Sequence, residues 1–334
     1  MALTVEVGVA ELAATRFAVS PLSETVAALQ QLAGRDRQPV HRRWLRWATA
    51  ELAGHPIDLS HTWPLIVSDR LGWPEFLVPA PAGPGTSIDD DLAALRRTTP
   101  AQVRASLRRV FADEPPPAAR DLSARPVTGL RAIAGELRAA HDRLVAPHWP
   151  RIRAVLDADV AYRARRLAIG GAADLFADLH PDLHWHDERL VLDGARWRTD
   201  RVVNRGPGGL VLMPVVLGSA YVLIKKSTST QTTVRYPARG AGALWTAGAR
   251  PAPGGTVRLI GRARAELLEA LRSPATPTDL ARSLGVTPSA VSQHLRVLRE
   301  NGLVAGERSG RAVLYSTTAL GAALGDAPAA TASP

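Results

Sequence analysis

Two contiguous stretches near the end of the chain, ATPTDLARSLG and VTPSAVSQHLRVLRENGLV (residues 275–304), restrict the fold more than any other part of it. Each carries Thr-Pro at its start. Thr276 can cap a helix with Pro277 at its first position, and Thr287 can cap a second that begins at Pro288. Asp279 stands where it completes a capping box. Gly285, between the two, can take the left-handed conformation that ends a helix. Ala281 is small enough for two helices to cross closely, and Val291 is a branched apolar side chain that buries the second helix against the first. Together these meet the packing requirements of a helix-turn-helix. The plainer alternative is an αα-hairpin that serves packing alone.

The next residues sharpen the reading. LVAGERSGRAVLYST reads as a strand, a two-residue Ser-Gly turn and a second strand, with Arg308 and Arg311 bracketing the turn. A hairpin tipped with arginines directly after such a helix is a wing, placed to touch phosphates or a minor groove. With Val291 set at zero on a helical wheel, Leu295 and Leu298 fall within roughly 40° of it. Ser289, Gln293, Arg296 and Glu300 fall roughly 140–200° away, and Ser292 lies on a flank. The N-terminal part of such a helix enters the major groove, where glutamine can pair with adenine. The DNA-binding candidates are therefore Thr287, Ser289, Ser292, Gln293, Arg296, Arg308 and Arg311. His294, roughly 60° from the buried axis, suits either packing or DNA contact.

Residues 258–324 resemble the ArsR-type winged-helix transcription regulators, through DLARSLGVTPSAVSQHLRVLRENGLV and the GRAVLYSTT hairpin. The resemblance implies a homodimer on a partly palindromic operator, usually as a repressor. Many members of that family sense metals through cysteines on the helix before the turn, where this chain has ATPTDLA. Another metal site of the family uses His and carboxylates on the terminal helix, where this chain has TTALGAALGDA and no His. The preceding 250 residues resemble the large N-terminal region of some actinobacterial ArsR-like regulators, through LVLMPVV and VRYPARGAGALW. No activity comes with that second resemblance.

A chain of 334 residues suggests more than one domain. The predicted class is α+β: a mostly helical region over 1–180, a β-rich segment over 181–247, a winged helix-turn-helix over 258–324 and a disordered tail over 325–334. Helices are expected at 21–34, 41–54, 99–117 and from Pro147 to about Asp178, and loops at 79–87 and 114–126. Asp89-Asp90-Asp91 is read as a cluster that lies in a loop and caps a helix start. GLVLMPVV and SAYVLI read as strands in a sheet of hairpins, and KKSTSTQTT (225–233) as an exposed loop. TVRLIGRARAELLEALRSP reads as one helix with Leu259, Ala263, Leu267, Ala270 and Leu271 on one side. Most of Trp44, Trp47, Trp63, Trp73 and Trp149 should be core.

The net charge of +10, spread along the chain, and a pI near 11.0 favour an anionic partner, with double-stranded DNA first. The absence of cysteine excludes disulfides, thiolate metal sites and Cys nucleophiles. MALTVEVGVAEL lacks the basic start of a signal peptide, and the longest apolar run is broken by Pro214, so a cytoplasmic location without membrane contact is expected. His180, His184 and His186 could ligate Zn or Ni, or simply form a polar edge before RLVLDG. No G-x-S-x-G, Walker A or HExxH motif is present, so no catalytic residue, metal or cofactor is assigned and the chain is not read as an enzyme. The reading is a dimeric DNA-binding regulator whose N-terminal region senses an unidentified small molecule. The alternative is an enzyme or protein-interaction module with an accessory winged helix.

Overall fold

The structure is a computed structural model that describes residues 2–35, 38–67, 72–112, 114–193, 201–203, 208–225, 231–245, 254–272, 274–309 and 312–326. The chain divides into two compact units: residues 1–37 with 48–239, and residues 38–47 with 240–334.

The first unit begins with β1 (Ala2–Glu6), α1 (Val9–Ala13), β2 (Arg16–Phe17) and α2 (Pro21–Leu32). α3 (Arg42–Gly54) contributes its later residues. A helical run follows: α4 (Trp63–Ile66), α5 (Ile88–Arg96), α6 (Pro100–Phe111), α7 (Pro117–Ala124), α8 (Pro126–Ala140) and α9 (Trp149–Ala177). Then come β3 (Leu183–His186), β4 (Arg189–Asp193), β5 (Arg201–Val203), β6 (Val211–Val215), β7 (Leu223–Ile224) and β8 (Thr233–Pro237). The α+β class expected from the sequence is the class observed.

Several local expectations are corrected. The region read as helical supplies β1 to one four-stranded sheet, ordered β3-β4-β1-β5, and β2 to another, ordered β2-β6-β8-β7. Residues 114–126 hold a helix rather than a loop: Pro117 takes its first position, where a missing N–H costs nothing. Asp89, Asp90 and Asp91 form the first turn of α5. Ser87 and Asp90 make a reciprocal capping box there. Asp91 is buried and accepts from the Ser20 hydroxyl at 2.7 Å and from the Leu22 N–H at 3.1 Å, which ties α5 to the start of α2.

The second sheet is not a set of hairpins. β6 runs parallel to both β2 and β8, and β7 joins antiparallel to β8. Pro214 is tolerated inside β6 because β2 pairs only with Val211 and Leu212, which leaves the strand without a neighbour on that side at the proline. In the first sheet β3–β4 forms a hairpin, turned through Asp187 and Glu188, both at positive φ. One face of each sheet and the end of α9 share an apolar core that includes Leu3, Val5, Phe176, Leu190, Leu212, Val234 and Tyr236. Of the five tryptophans expected as core, only Trp44 is fully buried. Lys225, Gln231, Thr232 and Thr233, read as part of an exposed loop, are half-buried or buried; residues 226–230 of that loop lie outside the described residues.

The second unit contains α10 (Gly254–Ile260), α11 (Arg262–Ala270), α12 (Pro277–Leu284), α13 (Pro288–Glu300), the paired strands β9 (Val304–Ser309) and β10 (Ala312–Thr317), and α14 (Ala319–Asp326). The single helix expected over 256–271 is two, broken at Gly261 with φ of 83°. The break shifts the helical phase, so Leu259 and Ala263 are exposed. Ala265, Leu267, Leu268, Ala270 and Leu271 face inward. Residues 325 and 326 end α14, and the remainder of the expected tail lies outside the described residues.

Candidate nucleic-acid interface

Local chemistry fixes the two helices at the centre of the second unit. The Thr276 hydroxyl oxygen accepts from the Asp279 N–H at 3.2 Å. The Asp279 carboxylate takes the Thr276 hydroxyl at 2.8 Å and not the Thr276 backbone N–H, so the cap is one-sided and the expected reciprocal capping box is not made. Gly285 stands in the left-handed region (φ 68°, ψ 28°), and its N–H and that of Val286 both return to the Ala281 carbonyl. Thr287 caps α13 by accepting from the Ala290 N–H at 3.3 Å. Ala281, Val291, Leu295 and Leu298 are buried in a core with Leu267, Leu268, Leu271, Leu280 and Val304. The two threonine caps, the left-handed glycine and the buried Ala281 and Val291 of the sequence motif are present as geometry.

Burying Val291, Leu295 and Leu298 leaves the opposite side of α13 in solvent. Ser289, Ser292, Gln293 and Arg296 are all exposed, as the wheel requires. Two of the hydroxyls have structural duties as well. Ser292 donates to the Pro288 carbonyl at 2.8 Å, and the Thr287 and Ser289 hydroxyls lie 3.1 Å apart. The exposed Gln293 amide makes no hydrogen bond among the described residues. His294 is half-buried, between the two faces. Glu300 is exposed at the far end.

The hairpin after α13 pairs Val304–Ser309 with Ala312–Thr317, and Ala275 adds a bridge to Tyr315 through two backbone hydrogen bonds of 2.9 and 3.0 Å. Ser309 pairs with Ala312 and so ends β9 instead of lying in the expected Ser-Gly turn. Gly310 and Arg311 lie outside the described residues. Arg308 is exposed, opposite Val313. Arg296, Arg299 and Arg308 make no ion pair among the described residues, whereas Arg282 lies 3.8 Å from Asp279. Arg282 and Arg299 were not singled out from the sequence; both are exposed, and the wheel that placed Arg296 also puts Arg299 on the Ser292 flank.

The histidines of HPDLHWHDE do not converge. His180 bonds through Nε2 to the Ala220 carbonyl at 2.9 Å, while His184 and His186 lie near Asp193 and Asp187 respectively. Among the described residues no three His, Cys, Asp or Glu side chains form a group that could hold a metal ion. No helix among them is long and apolar enough to cross a membrane.

Residues 262–305 match the family model of bacterial regulatory proteins of the arsR family. A 54-residue segment is 52% identical to the HTH-type transcriptional regulator NmtR of Mycobacterium tuberculosis, covering 16% of this chain and 45% of that protein. The chain therefore spans less than half the length of this relative. Residues 262–305 are an ArsR-family helix-turn-helix domain.

Proposed function

We propose that the protein is a DNA-binding transcription regulator, acting as a repressor, that reads a palindromic operator as a dimer. The observation that carries this reading is the polar face of α13. In an ArsR-family domain with Val291, Leu295 and Leu298 buried, Ser289, Ser292, Gln293 and Arg296 are all exposed, next to a hairpin carrying Arg308. Ser289, Ser292 and Gln293 would meet base edges or phosphates near the start of the helix, Arg296, Arg308 and Arg311 would meet phosphates, and Thr287 would hold the helix start in place. A surface for a protein partner would instead centre on apolar side chains.

The division of labour follows. Residues 258–324 would contact DNA, and the region before them, 1–180 with the β-rich 181–247, would sense a small molecule. Footprinting of the purified full chain on the DNA upstream of its own gene tests the reading. A protected, two-fold related site that survives competition by random DNA is expected. Uniform, salt-sensitive coverage without a preferred site would reject it.

A further inference from the structure

The second sheet of the N-terminal unit turns two cations toward one face. Along β8, Val234 and Tyr236 enter the apolar core, so Thr233 and Arg235 point to the opposite side. Arg235 is 7% exposed. Its Nη2 donates to the Ser23 carbonyl at 3.4 Å, and its guanidinium lies over the Trp73 ring, 5.3 Å from the centroid. Its Nε and Nη1 have no hydrogen-bond partner among the described residues. Among the described residues no carboxylate comes within ion-pair distance of it. Glu24 acts on it from further away, and its two carboxylate oxygens are occupied by the N–H groups of Val216 and Leu217 at 2.6 and 2.8 Å.

A guanidinium withdrawn from water without a paired anion is among the costliest arrangements in a protein interior, and unmade N–H bonds add to the cost. The stacking on Trp73 offsets only part of it. A second cation lies on the same face of the sheet. Leu223 faces Arg235 across the β7–β8 ladder, and the Lys225 N–H donates to the Thr233 carbonyl at 2.9 Å. Two residues beyond Leu223, Lys225 lies on the same face. Burial lowers its pKa, and Glu75 opposes that only from a distance.

We propose that this face binds a small oxyanion, a carboxylate or phosphate group, on Arg235 and Lys225, with the Trp73 ring as an apolar wall for the rest of the ligand. The unmade guanidinium donors suit the planar or tetrahedral acceptors of such a group, and both cations become paired when it enters. The site does not rest on the regulator reading, because its test needs no DNA.

The test is calorimetric titration and thermal unfolding of the full chain with sodium benzoate and, separately, sodium phosphate, against sodium chloride at matched ionic strength. Saturable heat and a midpoint raised by several degrees are expected with at least one of the two oxyanions. A response to benzoate alone assigns a carboxylate ligand, and a response to phosphate alone a phosphate. Arg235→Met removes the unpaired charge while keeping its bulk. It is expected to raise the ligand-free midpoint and to abolish the response. Lys225→Gln and Trp73→Leu are expected to weaken binding several-fold with unchanged circular dichroism, which keeps the test decisive if the Met variant fails to fold. No response beyond chloride, or wild-type binding by the folded variants, would overturn the proposal.

Discussion

At the scale of single residues, Gln293 and Arg308 are expected to do different work despite both being exposed. An amide can satisfy a donor and an acceptor on one base edge, so Gln293→Ala should cost about 1–3 kcal/mol on the operator and relax preference at one position per half-site. An arginine on a hairpin sees phosphates, which every sequence offers. Arg308→Ala should therefore weaken operator and random DNA alike and reduce the salt slope by about one unit. Fluorescence anisotropy at several salt concentrations separates the two; equal loss on both DNAs for Gln293→Ala would remove its base-reading role. The β3–β4 turn provides a residue-level test of stability. Asp187 and Glu188 both stand at positive φ, where non-glycine residues are strained. Asp187→Asn with Glu188→Gly supplies the residues this two-residue turn prefers. The double variant should gain about 0.5–1 kcal/mol in urea unfolding, and a lower midpoint would refute the strain argument.

Between elements, the junction of α2 with the end of β6 depends on one carboxylate. Glu24 is fully buried and accepts from Val216 and Leu217; burial pushes its pKa up from 4.5 to about 7, against those two hydrogen bonds and Arg235. Asp91, joining α5 to α2, is likewise raised by burial, from 3.8 to about 6. Both groups hold a proton in the folded chain at pH values where the unfolded chain has lost it. Their contribution is therefore complete below the unfolded values and is lost as pH rises through 6 to 7. The thermal midpoint should fall between pH 5 and pH 8, and Glu24→Gln should flatten that fall; an unchanged slope would show that Glu24 does not titrate in this range. Elements of this kind also mark where the sequence stops being legible. The helix-turn-helix was readable because its determinants are local: two threonine caps, one left-handed glycine and a buried stripe on α13. The order β2-β6-β8-β7 is not local, since pairing residues 16 with 211 and 213 with 235 leaves no short-range periodic trace. Leu259 was misplaced because a helix-permitting reading of Gly261 ignores its left-handed φ, and one such residue rotates everything before it. Nothing local in the sequence marks Arg235; only the ladder shows it enclosed, with no carboxylate at ion-pair distance among the described residues.

For the whole molecule, the proposed operator reading demands two copies of the ArsR-family domain, because one winged helix offers few base contacts. The described surface of the second unit suggests where a second copy could sit. Leu259 on α10 is 70% exposed and Leu320 on α14 is 60% exposed. The two helices are joined through the Thr256 hydroxyl, which donates to the Leu324 carbonyl at 3.0 Å. Large aliphatic side chains left in water on adjoining helices gain by burial against their own symmetry mates, the arrangement of an isologous interface. Fully burying a leucine is worth about 1.5–3 kcal/mol, and a two-fold interface counts each residue twice. Leu259→Glu with Leu320→Glu should thus shift the full chain from dimer to monomer by light scattering while leaving its circular dichroism intact. Operator affinity should fall with dimerisation, and affinity for a single half-site should stay near the wild-type value. A double variant that remains dimeric would move the interface elsewhere on the chain. One that becomes monomeric yet binds the full operator as before would remove the need for a dimer altogether.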